Sequence, residues 1–202
     1  MKIGIFIEPD IKLKNKILFW KKKFNKKTNK IFYLNHPPHM TICTKSIKMN
    51  KFAKINLLKN LNKILSREKS FELKFNRNSI FKKDPVTKCD TIYYSCKNNK
   101  KLSIIQKKII LSLSKFKDAN KKKIIFKKKI FKYNKKKYGY PFVGDQWKPH
   151  MTICSIENSS KTKKLINEFL NSKINFKIKI RKISIWYINF DNHKKIKNFK
   201  LI

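Results

Sequence analysis

The residue pattern predicts an α+β fold, with antiparallel strands covered by helices on one side. Two observations predict it. Apolar periods of two and of about 3.6 alternate along the chain in the order βαβαββα, then βαββ. A chain of 202 residues that is 41% hydrophobic and 13% aromatic also holds enough apolar material to bury a sizeable core. Ile3, Ile5 and Ile7 share one face of a first strand over residues 2–8. Leu13, Ile17, Trp20 and Phe24 follow a 4-3-4 spacing, which is a helical stripe. Pro37-Pro38 leads a short β-branched strand at 39–44, since the residue before a proline is held extended. A helix over 49–67 takes Phe52, Leu57, Leu58, Leu61, Ile64 and Leu65 as its apolar side. Strands follow at 71–77 and 90–96, then a helix at 99–117 carried by Leu102, Ile105, Ile109, Leu113 and Phe116. From 115 to 137 lysine triplets interrupt every period, and no element is assigned. A second Pro-led strand occupies 150–156, and a short helix at 160–170 uses Leu165, Ile166 and Phe169. In the tail, Ile174, Phe176, Ile178 and Ile180 alternate, and the phase then changes to Ile183, Ile185 and Tyr187. That change predicts a turn or bulge near Arg181-Lys182, with a last strand at 197–202.

Composition excludes several classes. No apolar run approaches the ~20 residues that span a bilayer, and Glu8 interrupts the apolar stretch at the start of the chain too early for a signal peptide. The expectation is a soluble, unexported, cytoplasmic monomer with no membrane partner. The formal net charge of +42 favours polyanions such as RNA. Yet only three of the 53 basic residues are arginine, and alanine occurs only at 53 and 119. That skew is the mark of an AT-rich coding sequence, which accounts for most of the charge. Cys43, Cys89, Cys96 and Cys154 lack C-x-x-C spacing and sit in apolar, strand-like contexts, so reduced, packed thiols are expected.

One hexapeptide is written twice. Pro38-His39-Met40-Thr41-Ile42-Cys43 recurs letter for letter as Pro149-His150-Met151-Thr152-Ile153-Cys154, with the histidines 111 residues apart. Strand alternation points His39, Thr41 and Cys43 one way and sends Met40 and Ile42 into the core; the second copy does the same. Each strand thus offers an imidazole and a hydroxyl roughly 6–7 Å apart. If the two halves are related by an approximate two-fold axis, two such pairs face one cleft. An imidazole with an ordinary pKa of about 6.5 can be neutral on one side of a phosphodiester and charged on the other. One then takes a proton from the attacking oxygen and the other gives one to the departing oxygen. The threonine hydroxyls can hold the non-bridging phosphate oxygens. No metal or cofactor is called for.

The paired His39-Met40-Thr41-Ile42 and His150-Met151-Thr152-Ile153 segments resemble the H-x-[ST]-x motifs of the 2H phosphoesterases, within them the 2′-5′ RNA ligase/cyclic phosphodiesterase branch. The resemblance covers nearly the whole chain as one domain, 1–202. It implies a bilobal, pseudo-two-fold fold of two antiparallel sheets with outer helices around a central cleft. It also implies metal-independent chemistry on 2′,3′-cyclic phosphates or 2′-5′ linkages of RNA or nucleotides, toward a 2′-phosphate product. By that likeness His39, Thr41, His150 and Thr152 are catalytic, and the partner is RNA or a nucleotide carrying a cyclic phosphate. The alternative from another class is a non-catalytic RNA-binding module using the same basic cleft.

Other residues carry weaker signals. H-x-x-x-C occurs twice, but on a strand those two side chains lie roughly 13 Å apart, too far for one zinc ion. Phe142 and Trp147, in an aromatic loop before the second motif, are the candidates to stack on a base. Lys45 and Lys148 flank the motifs, and the stretch 121–137 interleaves lysine with aromatics as a single-strand RNA track would. His36 and His193 lack a following threonine and read as ordinary surface or satisfied core residues.

Overall fold

The structure, a computed structural model, describes all residues except 29–30, 49, 98, 117–118, 120–127, 158 and 190–191. Strand β1 (Lys2–Ile7) is followed by helix α1 (Ile11–Asn25), the short β2 (Ile31–Phe32), β3 (Met40–Ser46) and α2 (Lys51–Leu65). Next come β4 (Phe71–Phe81), β5 (Asp90–Cys96), α3 (Lys100–Ser114), α4 (Lys129–Tyr138) and β6 (His150–Ile156). Helix α5 (Ser160–Asn171) and strands β7 (Phe176–Ile180), β8 (Lys182–Asn189) and β9 (Asn192–Lys200) complete the chain. Three helices begin at a side chain that satisfies an otherwise orphaned N–H. Asp10 accepts from Leu13 N at 2.9 Å, Asn50 from Ala53 N at 2.7 Å and Asn99 from Leu102 N at 2.9 Å. Helix α4 stops at Gly139, whose φ of 73° suits glycine.

The strands run in the order β7-β4-β5-β6-β3-β1-β8-β9, all antiparallel, with β2 added to β6. The two antiparallel sheets expected from the sequence are therefore halves of one path. They meet where β3 pairs with β6 through one residue pair, Met40 with Met151. Each half places a motif strand at this seam, flanked by β1 in one half and β5 in the other. Helix α1 packs on β6, and α3 packs on β3, so each of these helices braces the motif strand of the opposite half. Met40, Met151, Ile3, Ile5, Ile92 and Tyr94 are fully buried beneath the helices with Leu13, Ile17, Ile105 and Ile109.

The turn expected near Arg181 separates β7, which pairs with β4, from β8, which pairs with β1. The chain crosses between halves there. The last strand begins at Asn192, earlier than the expected 197, and forms a hairpin with β8. Helix α4 lies in the stretch left unassigned, and residues 121–127 of the basic track lie outside the described residues. Among the described residues no helix is long and apolar enough to cross a membrane.

Candidate active site

The Met40–Met151 pair fixes the local register. Extended by one residue each way, it sets His39 opposite Thr152 and Thr41 opposite His150, and opposed residues share a face. Met40 and Met151 point into the core, so all four polar side chains occupy the open face, where each is partly exposed. The structure thus brings the two sequence motifs together.

Both imidazoles are held in the same way. His39 Nδ1–H donates to Pro37 O at 2.6 Å, and His150 Nδ1–H donates to Lys148 O at 2.6 Å. A carbonyl can only accept, so Nδ1 carries the proton and Nε2 keeps its lone pair in the neutral ring. The buried prolines Pro38 and Pro149 hold the preceding residue extended, which turns its carbonyl toward the imidazole.

Each motif strand also carries a bulge at the same letter. The pairing passes from Ile5–Cys43 to Phe6–Thr41 in one half, and from Ile92–Cys154 to Tyr93–Thr152 in the other. Ile42 and Ile153 are the extra residues. The bulge reverses the alternation beyond it, so the expectation that Cys43 and Cys154 share the face of the histidines is corrected. Cys43 pairs with Ile5 and Cys154 with Ile92, both on the core side, and burial pushes both thiols upward in pKa. The four cysteines are thiols rather than disulfides. With His39 and Cys43 on opposite faces, the H-x-x-x-C segments cannot chelate. Among the described residues no group of three or more His, Cys, Asp or Glu is arranged to hold a metal ion.

The first bulge and the loop before it are braced from the helices. Gln106 of α3, fully buried, donates to Ile42 O at 3.2 Å and to Phe142 O at 3.0 Å. Lys21 of α1 donates to Tyr33 O, Leu34 O and His36 O at 2.5–3.1 Å and holds the loop leading into the first motif. Burial lowers the Lys21 pKa to about 8. The indole of Trp147 donates to Thr41 O at 3.2 Å, and the ring is only 7% exposed. Trp147 therefore anchors its loop to β3. Phe142 is half-buried between Phe131 and Tyr140, with centroids at 5.3 and 5.7 Å, and it too packs on the core. Lys45 is buried on the core side and donates to Leu113 O at 2.7 Å, away from the motif face. Lys148 is exposed.

The surroundings of the two histidines differ. Phe6 lies against His39 at 4.1 Å between centroids, and His193 of β9 stands 5.7 Å from the same ring. His36 is 4.2 Å from His193. Burial lowers the His39 pKa to about 3; the Pro37 carbonyl opposes this, while His193, His36 and Lys21 reinforce it. Around His150 the walls are Tyr93 at 4.9 Å and Phe81 at 5.1 Å. Burial lowers its pKa as well, opposed by the Lys148 carbonyl and then by the charge of Asp84. Asp84 sits in the β4–β5 hairpin, where it accepts from Thr91 Oγ1 at 2.7 Å and Val86 N at 2.8 Å. Thr91 in turn lies 2.9 Å from Ser155 Oγ on the second motif strand. Phe6, His36, His193 and Asp84 were not found as site residues from the sequence. Phe6 alone carried a signal, as an apolar side chain on the face of β1 opposite its isoleucines.

Comparison with known proteins bears on the family and the fold. A family model described as the 2′-5′ RNA ligase superfamily matches residues 10–192. No curated protein matches the chain. Among solved structures, TT0787 of Thermus thermophilus superposes with a TM-score of 0.65 at 8% identity, covering 100% of this chain and 98% of that one. E. coli LigT complexed with 3′-AMP gives 0.61 at 10% identity, with 99% and 96% covered. Kluyveromyces marxianus Usb1 gives 0.51 at 8% identity, with 99% and 98% covered. At such identities the likeness speaks for the fold.

Proposed function

The chain belongs to the 2′-5′ RNA ligase superfamily, and on that premise we propose that it opens 2′,3′-cyclic phosphates, or acts on 2′-5′ linkages, of RNA or nucleotides without a metal. The observation that carries the reading is the matched tethering of His39 and His150. Both Nδ1 atoms are committed to a backbone carbonyl, which leaves two Nε2 atoms on one face beside two threonine hydroxyls. In hydrolysis a neutral imidazole takes a proton from water as the water oxygen bonds to phosphorus. The other, protonated imidazole gives its proton to the ribose oxygen as the cyclic P–O bond breaks. Thr41 and Thr152 donate to the non-bridging oxygens, whose charge grows in the transition state. The nucleotide bound by the solved LigT supports a nucleotide as the ligand class here as well.

The test is hydrolysis of a nucleoside 2′,3′-cyclic phosphate in excess EDTA, followed across pH. A bell-shaped profile is expected, with apparent pKa values belonging to the pair. His39→Ala or His150→Ala should each cost on the order of 10²–10⁴-fold, and the double change far less than the product. Wild-type turnover equal to that of the double variant would overturn the reading and leave a binding module. Turnover lost to chelation and restored by zinc would overturn its metal-independent form.

A further inference from the structure

Three of the four histidines converge on one side of the site, although nothing in the local sequence marks two of them. His36 lies in the loop before β3, with its carbonyl bound by Lys21 Nζ at 2.8 Å. His193 reaches the same place from β9, where it pairs with Ile188. The ring centroids of His39 and His193 are 5.7 Å apart and those of His193 and His36 are 4.2 Å apart, with Phe6 at 4.1 Å from His39 and 6.1 Å from His193. Among the described residues, the charged and titratable groups that act on His39 are Lys21 from α1, His36 from the loop and His193 from the hairpin. Beyond Phe6, Glu8 is neutralised by Lys195 at 2.8 Å. His150 keeps different company among the described residues: aromatic rings flank it, and the charge that acts on it is the Asp84 carboxylate.

We propose that His36 and His193 are positioning residues that act through His39: positive charge on this outer pair adds to burial in keeping His39 neutral, favouring it as the proton acceptor and His150 as the donor. The proposal rests on the two-histidine reading above and adds the direction of proton transfer, which identical hexapeptides do not encode. Two like charges a ring's width apart repel, so each proton taken up by the outer pair makes protonation of His39 harder. Asp84 works in the opposite sense at His150, where a carboxylate favours the imidazolium. The pseudo-symmetric motif is polarised by its asymmetric surroundings.

The experiment is an NMR titration of the His39 and His150 rings in the free protein, alongside the pH dependence of kcat/KM on a nucleoside 2′,3′-cyclic phosphate. The proteins compared are wild type, His193→Gln, His36→Gln and the double variant. Across 5.7 Å, with an effective dielectric of about 20–80 for a partly buried pair, losing one charge should raise the His39 midpoint by roughly 0.5–2 pH units. The double variant should shift further, the acid limb of kcat/KM should move up with it, and the His150 midpoint should stay. His193→Lys, which keeps a charge, should return both toward wild type. A folded double variant, or either folded single variant, whose His39 midpoint moves by less than about 0.2 unit overturns the proposal while leaving the phosphoesterase reading intact. Shifted midpoints in a protein with no turnover would remove the enzyme reading, and with it the catalytic assignment of His39.

Discussion

Replacing Gly4 by alanine adds one methyl group where the structure has no room for it. A Cβ at this position would lie 2.2 Å from Phe6 Cζ, 2.7 Å from Phe6 Cε1 and 2.8 Å from Ile188 Cδ1. The isoleucine methyl can rotate away. The phenylalanine ring packs against the His39 imidazole at 4.1 Å between centroids, so a shift of the ring disturbs that contact. In an open strand, Gly→Ala stabilises by about 0.5–1 kcal/mol through lost chain entropy. Overpacking costs about 1–3 kcal/mol. The clash should win, giving a net destabilisation of up to about 2.5 kcal/mol in urea unfolding. A catalytic group displaced by up to ~1 Å loses up to ~10²-fold in rate, so kcat on a cyclic nucleotide should fall about 10- to 100-fold. The double variant Gly4→Ala/Phe6→Leu isolates the cause. With the ring gone, the alanine should become neutral or stabilising, and the cycle should show a coupling of about 1–3 kcal/mol. A Gly4→Ala protein more stable than wild type, with unchanged kcat, would refute the chain of contact from Gly4 through Phe6 to His39.

Two further outcomes follow from charge. Because Lys21 titrates at about 8 when folded and 10.5 when unfolded, the unfolded chain binds more protons between those values. Relative to Lys21→Met, wild-type stability should therefore rise with pH across that window, by up to about 3 kcal/mol, whatever the buried thiols common to both proteins contribute; parallel stability curves would refute this. Salt tests the net charge of +42. If the basic surface recruits RNA, log kcat/KM for an oligonucleotide ending in cyclic phosphate should fall with log salt by about 0.7 per phosphate contacted, while a mononucleotide responds weakly. Equal slopes would return the charge to coding bias.

Most elements were legible because their burial is periodic. Leu13, Ile17, Trp20 and Phe24 are all buried in α1, and Leu102, Ile105, Ile109 and Leu113 in α3. Helix α4 was not, because it has no apolar stripe to read. Its one buried residue is Asn134, held by a 3.1 Å bond to Pro141 O. Strand β9 escaped at its start for a related reason. It is an edge strand of lysines with Phe199 buried near its end, and such a pattern guards an edge rather than filling a core. An aromatic beside a motif looks the same in sequence whether its N–H meets a base or a backbone carbonyl, and only the fold shows that the Trp147 N–H meets Thr41 O.

The motif itself was legible in a different way, through repetition, and repetition has a limit. Two identical hexapeptides establish two imidazoles with the same tether and two bulges at the same letter. They carry no information about how the imidazoles differ. That difference comes from residues far apart in the chain. Phe6 from the first strand and His193 from the last meet at His39, while the β4–β5 hairpin brings Asp84 toward His150. A bulge is equally non-local, since it exists only relative to a partner strand, and it alone turned Cys43 and Cys154 inward. Acid–base catalysis needs both kinds of information: symmetry to set two rings about one phosphorus, and asymmetry to put the proton on one of them. The first is written in consecutive letters, and the second arises only when distant strands close on the motif.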